Sequence, residues 1–122
     1  MAVTIDRQEP GIYCIHLAET VQLDELLDAQ QRGLDMALKN GDQRYVLILD
    51  LDRSIQMPFD IREAGKLIEN DRSLKILSVG ASLHIRFLAS ILGRLFGVNR
   101  LEHSSTLDHA ITRARQILTQ DK

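Results

Sequence analysis

The sequence predicts a single α/β domain built on a mixed, mostly parallel β-sheet. Three observations carry this. Residues 45–49 and 74–79 are short, largely apolar runs, as expected of strands covered on both faces. Around them lie segments whose apolar residues recur at helical spacing. Near the amino terminus, two strand-like segments flank Pro10-Gly11, a turn signal that predicts an antiparallel hairpin.

The elements follow in order. Val3 and Ile5 alternate with Thr4 and Asp6, which predicts a first strand. Residues 12–17 form its return strand. Leu23, Leu27, Leu34 and Leu38, joined by Leu26 and Ala37, line one face of a helix. Asp24, Glu25 and Asp28 lie near its start, where the helix dipole favours acids. Asn40-Gly41 ends it, because glycine readily takes the left-handed conformation.

Residues 45–49 lead into Asp50 and predict a strand in the interior of the sheet. Asp60-Ile61-Arg62-Glu63 then reads as a helix start with a capping box, and that helix runs to about Asn70. Residues 74–79 are the next strand. Ser82 caps a third helix that ends near Gly97, and a short strand includes residues 98–101. Ser105 or Thr106 opens the last helix, with Leu107, Ala110, Ile111, Ala114, Ile117 and Leu118 on its inner face. The predicted order is β-β-α-β-α-β-α-β-α, with four main helices and right-handed crossovers.

A chain of 122 residues with 44% apolar content can bury a core without disulfides or metal. The net charge of −2 gives no overall attraction to nucleic acid or a membrane surface. The charge is uneven, however: residues 1–60 carry 5 basic and 11 acidic side chains, and residues 61–122 carry 10 and 6. This predicts a dipolar surface rather than a nucleic-acid site. The single cysteine, Cys14, excludes an internal disulfide and a cysteine zinc cluster. Set among Ile12, Tyr13 and Ile15, it reads as a small buried apolar residue. The start lacks a basic stretch followed by an apolar run, and no apolar run approaches the ~20 residues that span a bilayer. A cytoplasmic protein is expected.

Asp50-Leu51-Asp52-Arg53-Ser54 is the sharpest enzyme-like signal. Two carboxylates two residues apart at a strand end can hold Mg²⁺ and supply a nucleophile. The segment looks like the first motif of haloacid-dehalogenase-type phosphatases, with Ser78 superficially like their second. The remainder is missing: after Ser78 there is no lysine before Lys122 and no adjacent acidic pair. The plain alternative is that Asp50 and Asp52 solvate and cap a strand end. His16, His84, His103 and His109 show no recognised metal-ligand spacing and read as surface histidines. No Ser/His/Asp arrangement can be assigned from the sequence, and there is no glycine-rich phosphate loop. No catalytic residue, metal or cofactor is therefore expected.

The helix over residues 82–96 carries two apolar stripes: Leu83, Phe87, Ile91 and Leu95, and beside them Ile85, Leu88, Leu92 and Phe96. Only a narrow arc holds Arg86, Ser90 and Arg94. Either this helix is wedged between the sheet and its neighbours, or Ile85, Leu92 and Phe96 form an apolar interface for a partner or a second copy in a homodimer.

Several local patterns, and above all their order, resemble the STAS domain of anti-sigma factor antagonists and sulphate transporter tails. The run from Val46 through Leu47, Ile48 and Leu49 to Asp50 and Leu51 looks like that family's central strand. Asp60, Gly65, Leu67 and Ile68 fall where the pattern Asp-Ser-Ser-Gly-Leu-Gly-x-Leu-Leu has its Asp, second Gly and apolar pair. Phe96-Gly97-Val98-Asn99-Arg100-Leu101 is similar to its Gly-Leu-x-x-Leu segment. Thr106-Leu107-Asp108-His109-Ala110 is similar to its Ser-Leu-x-x-Ala helix start.

The resemblance implies a non-enzymatic regulator that binds a protein, such as a kinase-like anti-sigma factor, through a surface comprising Asp52, Ser54, Asp60, Ile61 and Arg62. In that family, phosphorylation of a serine at the start of the second helix switches binding off. Here Ile61 and Arg62 occupy the serine positions and Glu63 the first glycine, so the phosphoacceptor is absent. Two other classes stay open: a small-molecule or lipid sensor with an apolar cavity under the long helices, and the Mg²⁺-dependent phosphatase built on Asp50 and Asp52.

Overall fold

The computed structural model describes residues 3–51, 56, 60–80, 90, 91, 94 and 101–120. Within them lie five strands and three helices: β1 (Val3–Glu9), β2 (Ile12–Leu17), α1 (Leu23–Lys39), β3 (Val46–Leu51), α2 (Ile61–Asn70), β4 (Ile76–Val79), β5 (Leu101–Ser104) and α3 (Leu107–Gln120). Ser90, Ile91 and Arg94, the described part of the helix expected over residues 82–96, have helical backbone.

The strands form one sheet in the order β1-β2-β3-β4-β5. The opening hairpin is antiparallel, turning at Pro10-Gly11 with Gly11 left-handed at φ 82. The other three pairings are parallel, so the sheet is mixed and mostly parallel. β3 occupies its centre, as its unbroken apolar run requires. Because the strands advance in sequence order, right-handed crossovers put successive connecting helices on the same face. The packing agrees. Leu26, Ala29 and Ala37 of α1 pack with Tyr13, Ile15, Leu17 and Leu47. α2 joins that layer through Leu67, whose carbonyl accepts from Gln30 Nε2 at 2.6 Å.

α3 covers the opposite face. Ala110, Ala114 and Ile117 lie against Ile12, Cys14, Val46, Ile48 and Leu77, with Leu107, Ile111 and Leu118 at the margin. Alternate residues of β2 and β3 thus feed two cores, which accounts for the unbroken apolar runs 12–15 and 46–49. Cys14 is fully buried in the second core.

Some boundaries differ from the sequence reading. β4 begins at Ile76 rather than Leu74. Buried Asp71 accepts from both the N–H and the hydroxyl of Ser73, bending the chain before the strand. β5 is Leu101–Ser104, with only Leu101 inside the expected span of residues 98–101. Its sequence lacks an apolar alternation because it is an edge strand held by charge. Glu102 accepts from Arg113 Nε at 2.9 Å and from Arg113 Nη2 at 3.0 Å on α3, and it pairs with Lys75. The Arg113 hydrogen bond leads, acting against burial and together with Lys75, and it holds the Glu102 carboxyl down at about 2. No helix among the described residues is long and apolar enough to cross a membrane.

Candidate functional site

The parallel strands β2 to β5 run the same way, so their carboxyl ends, Leu17, Leu51, Val79 and Ser104, lie along one edge of the sheet. Three groups of polar residues collect near it.

The first is the start of α2. Asp60 has extended backbone, and its carboxylate accepts the Glu63 N–H at 2.8 Å. The Glu63 carboxylate in turn accepts the Asp60 N–H at 3.4 Å, closing the capping box that the sequence predicts. Arg62 follows in the first turn, exposed, and forms no ion pair among the described residues. Upstream, Gln56 is held to the connection between β2 and α1: its N–H donates to the Glu19 carbonyl, and its carbonyl accepts the Val21 N–H, both at 2.8 Å. Glu19 takes a left-handed backbone, φ 62, to present that carbonyl. The connection from β3 to α2 is thus fixed at Gln56 and again at the Asp60 cap. Of the five residues expected to bind a partner, Asp60 and Arg62 are described here, Ile61 is described as the first helical residue, and Asp52 and Ser54 lie outside the described residues. Ile85, Leu92 and Phe96, expected as an apolar interface, also lie outside them.

The second group is a row across β1, β2 and β3. His16 stands opposite Asp50 in the parallel register, and its Nδ1 lies 3.0 Å from the Asp50 carboxylate. Its Nε2 lies 3.0 Å from Asp6, whose other oxygen accepts from Gln8 Nε2 at 2.5 Å. A neutral imidazole has one N–H and can donate to only one of these carboxylates, whereas the imidazolium donates to both. Burial alone would lower the His16 pKa, but the hydrogen bonds to Asp6 and Asp50 outweigh it and raise the value. Two residues back on the same face, Cys14 Sγ lies 3.9 Å from His16 Nδ1. Burial pushes the Cys14 thiol up to about 12, with the charges of Asp50 and Asp6 acting in the same direction.

The third group is Ser78 on β4, hydrogen-bonded to His103 Nδ1 on β5. The Ser78 hydroxyl also approaches the Glu102 carbonyl at 3.4 Å. With only 8% of Ser78 exposed, the hydroxyl links two strands and is poorly placed to meet a substrate.

The capping box of the first group is legible in the sequence; the second group is not. Cys14 is the buried core residue that its apolar neighbours predict, while its proximity to His16, Asp50 and Asp6 depends on strand register. No protein-family model matches the sequence, and no curated protein matches it either.

Proposed function

We infer that this chain is a non-enzymatic, STAS-like protein-recognition domain that contacts its partner through the surface from Asp52 to Arg62. The single observation that carries this reading is the start of α2. It is a capped helix end that begins at the carboxyl edge of the sheet, preceded by Gln56 tied to the β2–α1 connection, and it presents Arg62 to solvent. Support for the STAS-like topology comes from the strand order and the mixed sheet. The sequence pattern adds a helix over residues 82–96 to this reading, its apolar stripe with Ile85, Leu92 and Phe96 serving a second copy or the partner.

The guanidinium fork of Arg62 suits a carboxylate on the partner, such as that of a kinase-like anti-sigma factor. With Ile61 and Arg62 in place of hydroxyl residues, binding is constitutive or ligand-controlled rather than switched by phosphoserine at this helix start. The testing experiment is affinity capture from native cells with three baits: the wild-type chain, Arg62→Glu, and Lys39→Glu. Lys39 is exposed at the end of α1, where the chain turns towards the amino end of β3. A protein retained by wild type and Lys39→Glu but lost by Arg62→Glu supports the reading. Identical capture by all three baits refutes it.

A further inference from the structure

We propose that Cys14, His16 and Asp50 form a binding site for one divalent ion of the zinc class, with Asp6 orienting the imidazole. The site is independent of the recognition surface at α2. Its donors are a thiol sulfur, an imidazole nitrogen and a carboxylate oxygen, the combination that zinc favours over hard cations. All three ligand atoms lie within 4.8 Å of one another. A tetrahedral ion bonded at about 2.3 Å to sulfur and about 2.0 Å to nitrogen and oxygen sets its ligand atoms roughly 3.5 Å apart. The Sγ–Nδ1 separation of 3.9 Å and the Nδ1–Oδ2 separation of 3.0 Å bracket that spacing, so small side-chain rotations suffice.

The backbone enforces this arrangement. Cys14 and His16 are two residues apart on β2, so they project to the same face. The parallel register sets Asp50 beside His16. Asp6 then plays the part that carboxylates play behind metal-bound histidines: its oxygen, 3.0 Å from Nε2, fixes the proton there and leaves Nδ1 free to ligate. Gln8 steadies Asp6 in turn. The side chains of His16 and Asp50 are 34% and 36% exposed, which gives the ion an approach and leaves a fourth position for water. On binding, the Sγ–metal bond forms as the thiol proton passes to solvent, and any proton held between Nδ1 and Asp50 is released to solvent as the ion takes its place. The ion's two charges offset the thiolate and the carboxylate at a point where those charges would otherwise repel.

The test is titration of the 122-residue chain with Co²⁺, followed by displacement with Zn²⁺. One equivalent of Co²⁺ is expected, with a thiolate-to-cobalt charge-transfer band that vanishes in Cys14→Ala. Asp6→Asn should keep the band and weaken Zn²⁺ binding about 10–100-fold. Because Cys14 is a core residue, His16→Gln provides a second variant at a half-exposed position. It should retain the circular dichroism of the folded protein and lose tight Zn²⁺ binding. A folded wild-type chain with no sulfur band, or unchanged Zn²⁺ affinity in His16→Gln, overturns the proposal.

Discussion

The backbone of Gly80, just past β4, runs so close to Leu51 at the end of β3 that a Cβ on Gly80 would lie 2.5 Å from the Leu51 carbonyl oxygen. Gly80 also has φ +77, a conformation that side chains of other residues resist. The two strand ends at the candidate site can therefore approach only because position 80 lacks a side chain. Gly80→Ala should destabilise the fold by roughly 1–3 kcal/mol, read as a lower midpoint in chemical denaturation. An unchanged midpoint would show that the two strand ends can separate without loss.

The Asp60 cap makes a similar prediction for the start of α2. Asp60→Ala removes the acceptor of the Glu63 N–H and should cost about 1 kcal/mol. Asp60→Asn should cost much less, because asparagine also caps well. Equal losses in the two variants would mean that the cap hydrogen bond is not what holds this turn.

These two positions also show what a sequence discloses. Asp60 and Glu63 are three residues apart, and a capping box is a local pattern, so it could be read directly and was found where expected. The same holds for the Gly41 stop, left-handed at φ 73, and for the apolar run at 45–49 that is covered on both faces of the sheet. The row of Asp6, His16 and Asp50 was not legible. It depends on the hairpin register that sets Asp6 opposite Cys14 and on the parallel register that sets His16 opposite Asp50. Only Cys14-x-His16 was local, and on a strand that spacing already places both residues on one face. The β5 boundary was obscured for a related reason: Glu102 sits in a strand because Arg113 and Lys75 satisfy it, and neither is adjacent in sequence.

Glu102 gives the fold a dependence on pH. Its carboxyl is held at about 2, against an ordinary value of 4.5, first by Arg113. A carboxyl depressed in the folded state contributes stability that is fully present above its unfolded value and is lost as pH falls through its folded value. The contribution should therefore be complete at neutral pH and disappear between about 4.5 and about 2. Glu102→Gln should cost roughly 1–2 kcal/mol at pH ~7, allowing for partial solvent screening. Denaturation of both proteins across this range should show the gap narrowing with acid. A gap that stays constant would exclude the ion pair as its source.

Asp50 separates the proposed recognition function from a phosphatase. Its carboxylate already engages His16 at 3.0 Å. With Mg²⁺ and a generic phosphomonoester, the purified chain should show no turnover that depends on Asp50. Turnover abolished by Asp50→Asn would establish an enzyme.

Recognition through the start of α2 can be read by calorimetric titration of the captured partner with wild type and with Arg62→Glu. A glutamate in the first turn is favoured by the helix dipole, so this variant should stay folded. Kd should be about 10-fold or more weaker for Arg62→Glu, as when a charge pair across an interface is broken, with Tm unchanged. An unchanged Kd would contradict recognition through this helix start.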